Sequence, residues 1–191
     1  RGGGAAGRVP HDPEVVRQMN TEKRDPANQH ATFRELYLSE VHGAVDAFES
    51  SLVEVTQYLF AQAGGDPSTV TDEERSRSTD LWKRMIVNTF RLKGAVMARR
   101  FPTIHTYATA HARVRRDVVR SFQPNDFADF GHAAAALGYC SCFATERSLA
   151  ELIRQSKLDV QYSVAIVTDC DQLSEWLATL PPPAGPSPQA T

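Results

Sequence analysis

Cysteine is scarce in this chain. It has three in 191 residues, and two of them, Cys140 and Cys142, are separated by a single position. Three thiols cannot all pair within one chain, so a disulfide framework is excluded. The expected setting is an intracellular, reducing compartment (cytoplasm, organelle matrix or virion) rather than secretion. Long apolar runs are missing too. None approaches the roughly 18 residues that a membrane-spanning helix needs, so no membrane partner is expected. The opening lacks the charged, apolar and small-residue succession of a signal peptide and starts at Arg1 instead of Met, so the N-terminus is expected to be cut, processed or preceded by residues not seen. There is no Walker loop, and Gly2-Gly3-Gly4 sits at the terminus with no strand before it, so it reads as an arm and not a phosphate cradle.

The residue sets that carry catalysis or metal binding are equally thin. His132, Cys140, Cys142 and Cys170 are enough in number for a zinc site, but C-x-C is not a structural zinc knuckle. Small buried cysteines are the better reading, and no metal or cofactor is expected. Cys140 or Cys142 with His132 and Asp129 is the one formal nucleophile set. Eight residues separate His132 from Cys140, about 12 Å of helical rise, so they could not touch within one helix. Glu35, Glu40, Glu49 and Glu54 lack the Glu-x-x-His spacing of a di-iron bundle. His105 and His111 lie among cations that disfavour their protonation and read as packing groups or neutral donors. The chain is not expected to be an enzyme.

What is present is segregated charge. The formal net charge is only −2, yet residues 82–121 hold ten basic side chains against the single acid Asp117, a local charge of +9. The flanking segments, 1–81 and 122–191, carry −6 and −5. Separation on this scale sets up a field that attracts a polyanion or an acidic neighbour. The ten are Lys83, Arg84, Arg91, Lys93, Arg99, Arg100, Arg113, Arg115, Arg116 and Arg120. Arg84 and Arg91 are seven apart, as are Lys93 and Arg100; Arg113, Arg116 and Arg120 follow at three and four, again one helical stripe. Phe90, Phe101 and Tyr107 are interleaved with them as stacking candidates. Guanidinium groups beside aromatic faces are the parts that single-stranded nucleic acid needs.

The chain pattern predicts an all-α fold, a helix bundle of about five to six helices with extended N- and C-terminal arms. The expected division is an N-terminal arm over 1–26, the bundle over 27–180 and a Pro-rich C-terminal arm over 181–191. Val41, Val45, Phe48, Leu52, Val55 and Leu59, spaced 4-3-4-3-4, form a heptad seam along one long helix, read as core or a subunit interface. That helix should run from about 31 to 63 and stop at Gly64-Gly65-Asp66-Pro67. A capping box of Thr71 and Glu74 starts the next, which ends before Pro102. Further helices are predicted over about 103–122, from Asn125 or Asp126 to about Cys140, over 145–157 and over 170–180. The β-branched stretch 160–168 reads as helix for want of a strand partner.

Small helical coat proteins of rod-like and filamentous RNA viruses share this design of a bundle, arms and an internal Arg-rich groove. Arg100-Phe101-Pro102 and Arg115-Arg116-Asp117 are similar to strings in rod-shaped plant-virus coats, although closer together here. No residue's role is carried over from those six positions. The leading expectation is a non-enzymatic assembly protein that binds RNA or another polyanion through 83–120, as a coat-like or ribonucleoprotein subunit that self-assembles or meets neighbouring subunits through its arms. The first alternative is a protein scaffold subunit without nucleic acid. The second is a small-molecule-binding or enzymatic bundle.

Overall fold

The computed structural model describes residues 13–25 and 32–181. Expectations for arms over 1–12 and 182–191 lie outside those residues. The described chain is an all-α bundle with one small strand pair. In order it runs α1 (Pro13–Arg24), α2 (Phe33–Ala47), α3 (Glu49–Gln62), a 3₁₀ turn (Pro67–Thr69), α4 (Asp72–Arg100), α5 (Pro102–Arg116), α6 (Asp126–Ala136), β1 (Cys142–Ala144), α7 (Arg147–Gln155), α8 (Leu158–Tyr162), β2 (Ala165–Val167) and α9 (Cys170–Ala178).

The caps set the helix starts. Thr32 opens α2 and Thr71 opens α4, each accepting from the N3 amide while Glu35 or Glu74 returns a bond to the cap backbone. Those backbone bonds hold both carboxyls below the ordinary glutamate range. Pro102 follows the α4 C-cap, Phe101, and becomes the first residue of α5.

α5 is the spine. Its run of Thr and Ala at alternating positions is short enough for neighbouring helices to approach closely, and residues from Pro102 to Val114 are buried along much of its length. On one side Ile104 and Ala108 join Val41, Ala44 and Val45 of α2 and Phe90 and Met97 of α4 in the smaller core. On the other, Ala110 and Val114 join Phe127, Phe130 and Leu137 with Leu149, Ile153 and Leu158 in the larger one. Each fully buried Phe or Leu there contributes about 1.5–3 kcal/mol. Tyr107 packs against both cores.

Four sequence expectations need correction. Residues 13–24 of the expected arm are a docked helix: Val16 enters the larger core, Asn20 exchanges hydrogen bonds with the Phe122 backbone at 2.8 and 3.0 Å, and Lys23 donates to the Arg120 carbonyl. The heptad helix breaks at Phe48 (φ −95°, ψ 12°), which ends α2 and begins α3. Val41 and Val45 are therefore core and Leu52 half-buried, while Phe48, Val55 and Leu59 are exposed. The third predicted helix stops at Arg116, six residues early. Finally, 160–168 is not one helix: β2 pairs in parallel with β1, Phe143 opposite Ile166. The missing partner lay just past the predicted fourth helix.

Candidate nucleic-acid interface

The ten basic residues lie on α4, α5 and the loop after α5, and the structure sorts them into two sets. Three are ion-paired. Lys83 reaches Asp46 at 2.9 Å and Glu49 at 2.5 Å, Arg115 reaches Glu40 at 2.6 Å, and Arg120 reaches Asp126 at 2.8 Å. These pairs tie α4 to the α2–α3 corner, α5 to α2 and the following loop to α6. Arg84, Arg91, Lys93, Arg99, Arg100 and Arg116 are exposed and face no acid at ion-pair distance among the described residues. Arg113 is half-buried, donates to the Gln155 carbonyl at 3.3 Å and lies 4.8 Å over the Phe33 ring.

The stacking candidates divide likewise. Phe90 is 2% exposed, a core residue with no free face, because its α4 position looks onto α2. Tyr107 is half-buried with its ring 4.3 Å from that of His111. Phe101 alone of the three stays exposed, at the α4–α5 elbow. The histidines of the window are packed groups. His105 bridges the Tyr37 hydroxyl at 2.8 Å and the Gln161 side chain at 3.3 Å, and burial lowers its pKa. His111 is enclosed by Tyr107, Phe122, Phe127 and Phe130.

α4 is not regular through the basic stretch. Lys93 has φ −133° and ψ 44°, a kink inside the helix, and Arg34 of α2 donates to the adjacent Arg91 carbonyl at 2.9 Å. Beyond the kink the small residues Gly94, Ala95 and Ala98 leave a cleft of about 500 Å³ between α2, α4, α5 and α8. Arg99 and Arg113 line it together with the stacked rings of Phe33 and Tyr37, 6.3 Å apart and inclined by 22°, Arg113 lying over Phe33. Burial raises the Tyr37 phenol, so its hydroxyl remains a neutral group. Sequence reasoning placed Arg99 and Arg113 in the site but not Phe33, Tyr37, Thr109, Ser156 or Gln161. Those reach the cleft only through tertiary packing.

A second feature is the α3–α4 hairpin. No residue of α3 is buried, and Val55, Tyr58, Leu59 and Phe60 of α3 and Leu81, Trp82 and Met85 of α4 are all exposed. The cysteines are not the buried residues expected: Cys140 and Cys170 are exposed free thiols and Cys142 on β1 is half-buried, and no metal-ligating cluster occurs among the described residues. No helix of the described residues is long and apolar enough to cross a membrane.

Comparison with protein-family models, curated proteins and solved structures finds no match for this chain.

Proposed function

We propose that this chain is a non-enzymatic, self-assembling protein that binds single-stranded RNA along α4 and α5. The observation that carries the reading is the set of exposed basic side chains between Arg84 and Arg116 that no acid among the described residues neutralises, next to an aromatic-walled cleft. Cations left without acidic partners among the described residues, in a chain of net charge −2, form a local field suited to a phosphate backbone.

Assembly rests on the hairpin, and its occupant in this reading is a second copy. α4 has Asp72, Glu73 and Glu74 in its first turn and Arg99 and Arg100 in its last. At 1.5 Å per residue a straight helix would set these ends about 42 Å apart, and the kink at Lys93 brings them somewhat closer. A head-to-tail contact brings opposite charges together while covering Leu59, Leu81 and Met85, and such a contact propagates into a polymer or ring.

The deciding measurement is the 260/280 nm absorbance ratio of the gently purified protein on a sizing column, before and after ribonuclease. The expected result is a large, RNA-rich species that shrinks on digestion. RNA affinity should also fall with salt; for about five phosphate contacts on a single strand the log–log slope is roughly −3.5. A flat salt response overturns the reading. The exposed apolar hairpin also suits a protein scaffold without nucleic acid, and unchanged size with protein-like absorbance would favour that alternative.

A further inference from the structure

Three polar groups around the α2–α4–α5–α8 cleft are buried and have no hydrogen-bond partner among the described residues: the Thr109 hydroxyl, the Ser156 hydroxyl and the Arg113 Nε–H. A buried donor left unmade is costly, and natural interiors carry few of them. Thr109 is 5% exposed and sits on α5, where a threonine hydroxyl ordinarily donates to the carbonyl four residues back; Thr56, Thr79 and Thr89 all do so in this chain. Thr109 does not. Its hydroxyl, the Ser156 hydroxyl and the Arg113 Nε–H thus cluster about one cavity, with the exposed Arg99 guanidinium at its rim.

The neighbouring polar groups are already satisfied. Both ring nitrogens of His105 have partners, and the Tyr37 hydroxyl is held by one of them. What remains free is a set of donors and positive charge. That chemistry suits an anion with several acceptor oxygens, since guanidinium and hydroxyl donors together surround a phosphate. The Phe33 and Tyr37 rings, with the Arg113 guanidinium over Phe33, supply planar surface against which a base can stack. A volume of about 500 Å³ is within the range of small-ligand sites.

We propose that this cleft holds one nucleotide unit, its phosphate between Arg99 and Arg113 with the Thr109 and Ser156 hydroxyls donating to it, and its base against Phe33 and Tyr37. As a site for a unit of RNA it rests on the reading given above; as a nucleotide site it stands independently. Hydrogen-bond partners for the three orphaned donors then come from the ligand. Removing the Thr109 hydroxyl should therefore help the free protein and harm the complex, a pair of effects that a hydroxyl serving the fold would not produce.

The test uses the full chain, with fluorescence anisotropy of a short labelled oligoadenylate and competition by adenosine 5′-monophosphate or inorganic phosphate. Arg99→Gln and Thr109→Val are each compared with Arg84→Gln, which lies outside the cleft. Adenosine monophosphate should displace the RNA more effectively than inorganic phosphate. Arg99→Gln and Thr109→Val should weaken RNA binding by about tenfold, as expected for losing a hydrogen bond to a charged group, with a smaller effect from Arg84→Gln. Thr109→Val should also raise the Tm. RNA binding unmoved by both cleft variants overturns the site while leaving the RNA reading intact. Monophosphate binding that depends on Arg99, in a chain that ignores RNA, upholds the site and overturns the RNA reading. Binding of neither probe overturns both, and a lowered Tm for Thr109→Val overturns the role of its hydroxyl.

Discussion

The Arg115 guanidinium donates to the Glu40 carboxylate at 2.6 Å, and this contact fastens α5 to α2 beside the smaller core. Their side chains are 19% and 12% exposed, so neither charge is well hydrated. Burial raises the Glu40 pKa against the opposing pull of Arg115. Arg115→Ala leaves that carboxylate buried without its partner and should cost about 3 kcal/mol, measured by urea unfolding. The double variant Glu40→Leu/Arg115→Met should cost less than the single one, because it removes the stranded charge as well.

His111 should make the fold acid-sensitive. Its Nδ1 is 3.7 Å from Glu40 Oε2, and burial with the nearby Arg115 charge holds its pKa at about 3 against an ordinary 6.5. The unfolded chain therefore takes up a proton near pH 6.5 that the folded chain refuses until about pH 3. The contribution of His111 is full above pH 6.5 and declines as pH falls through that window. Glu40 acts with the opposite sign just above pH 4.5, where the folded chain keeps a proton that the unfolded one has lost. A series of Tm values from pH 8 to pH 4 should fall, and His111→Phe should flatten it. An unchanged slope in the variant would place the acid lability elsewhere.

Two glycines should respond oppositely to alanine. A Cβ on Gly43, inside α2, meets nothing within 4 Å, so Gly43→Ala should add about 0.5–1 kcal/mol. A Cβ on Gly138 would come 2.3 Å from Pro102 Cβ at the start of α5. Gly138→Ala should therefore lose about 1–3 kcal/mol through the forced shift. Thermal denaturation of the pair checks both signs.

Leu59→Glu/Met85→Glu should separate assembly from folding. Both side chains are about half exposed, so the double variant should keep the wild-type Tm. In sedimentation velocity it should stay monomeric at concentrations where the parent chain associates. Association unchanged by two new carboxylates would remove the hairpin from the interface.

Most helices are legible because their punctuation is local. The Thr71–Glu74 box, Pro102 and the Gly64–Pro67 break need only neighbouring residues to act. The break at Phe48 has no Gly or Pro to announce it. Strands of three residues are too short for alternation to show, and pairing Phe143 with Ile166 depends on α7 and α8 folding between them. The basic window is visible in composition, but which cations are neutralised is not: Glu40 is 75 residues from Arg115. The cleft is harder still, since its aromatic wall and its arginines come from α2, α4 and α5.

Because α5 contributes to both cores, neither can melt while the other keeps its full packing. The bundle should give one calorimetric transition, with the slowest amide exchange along Ala108–Val114. The α3–α4 hairpin tip lacks that shared investment, and its amides should exchange first. A neighbouring molecule that clamps the tip would slow this exchange without altering the spine, so protection there reports association residue by residue.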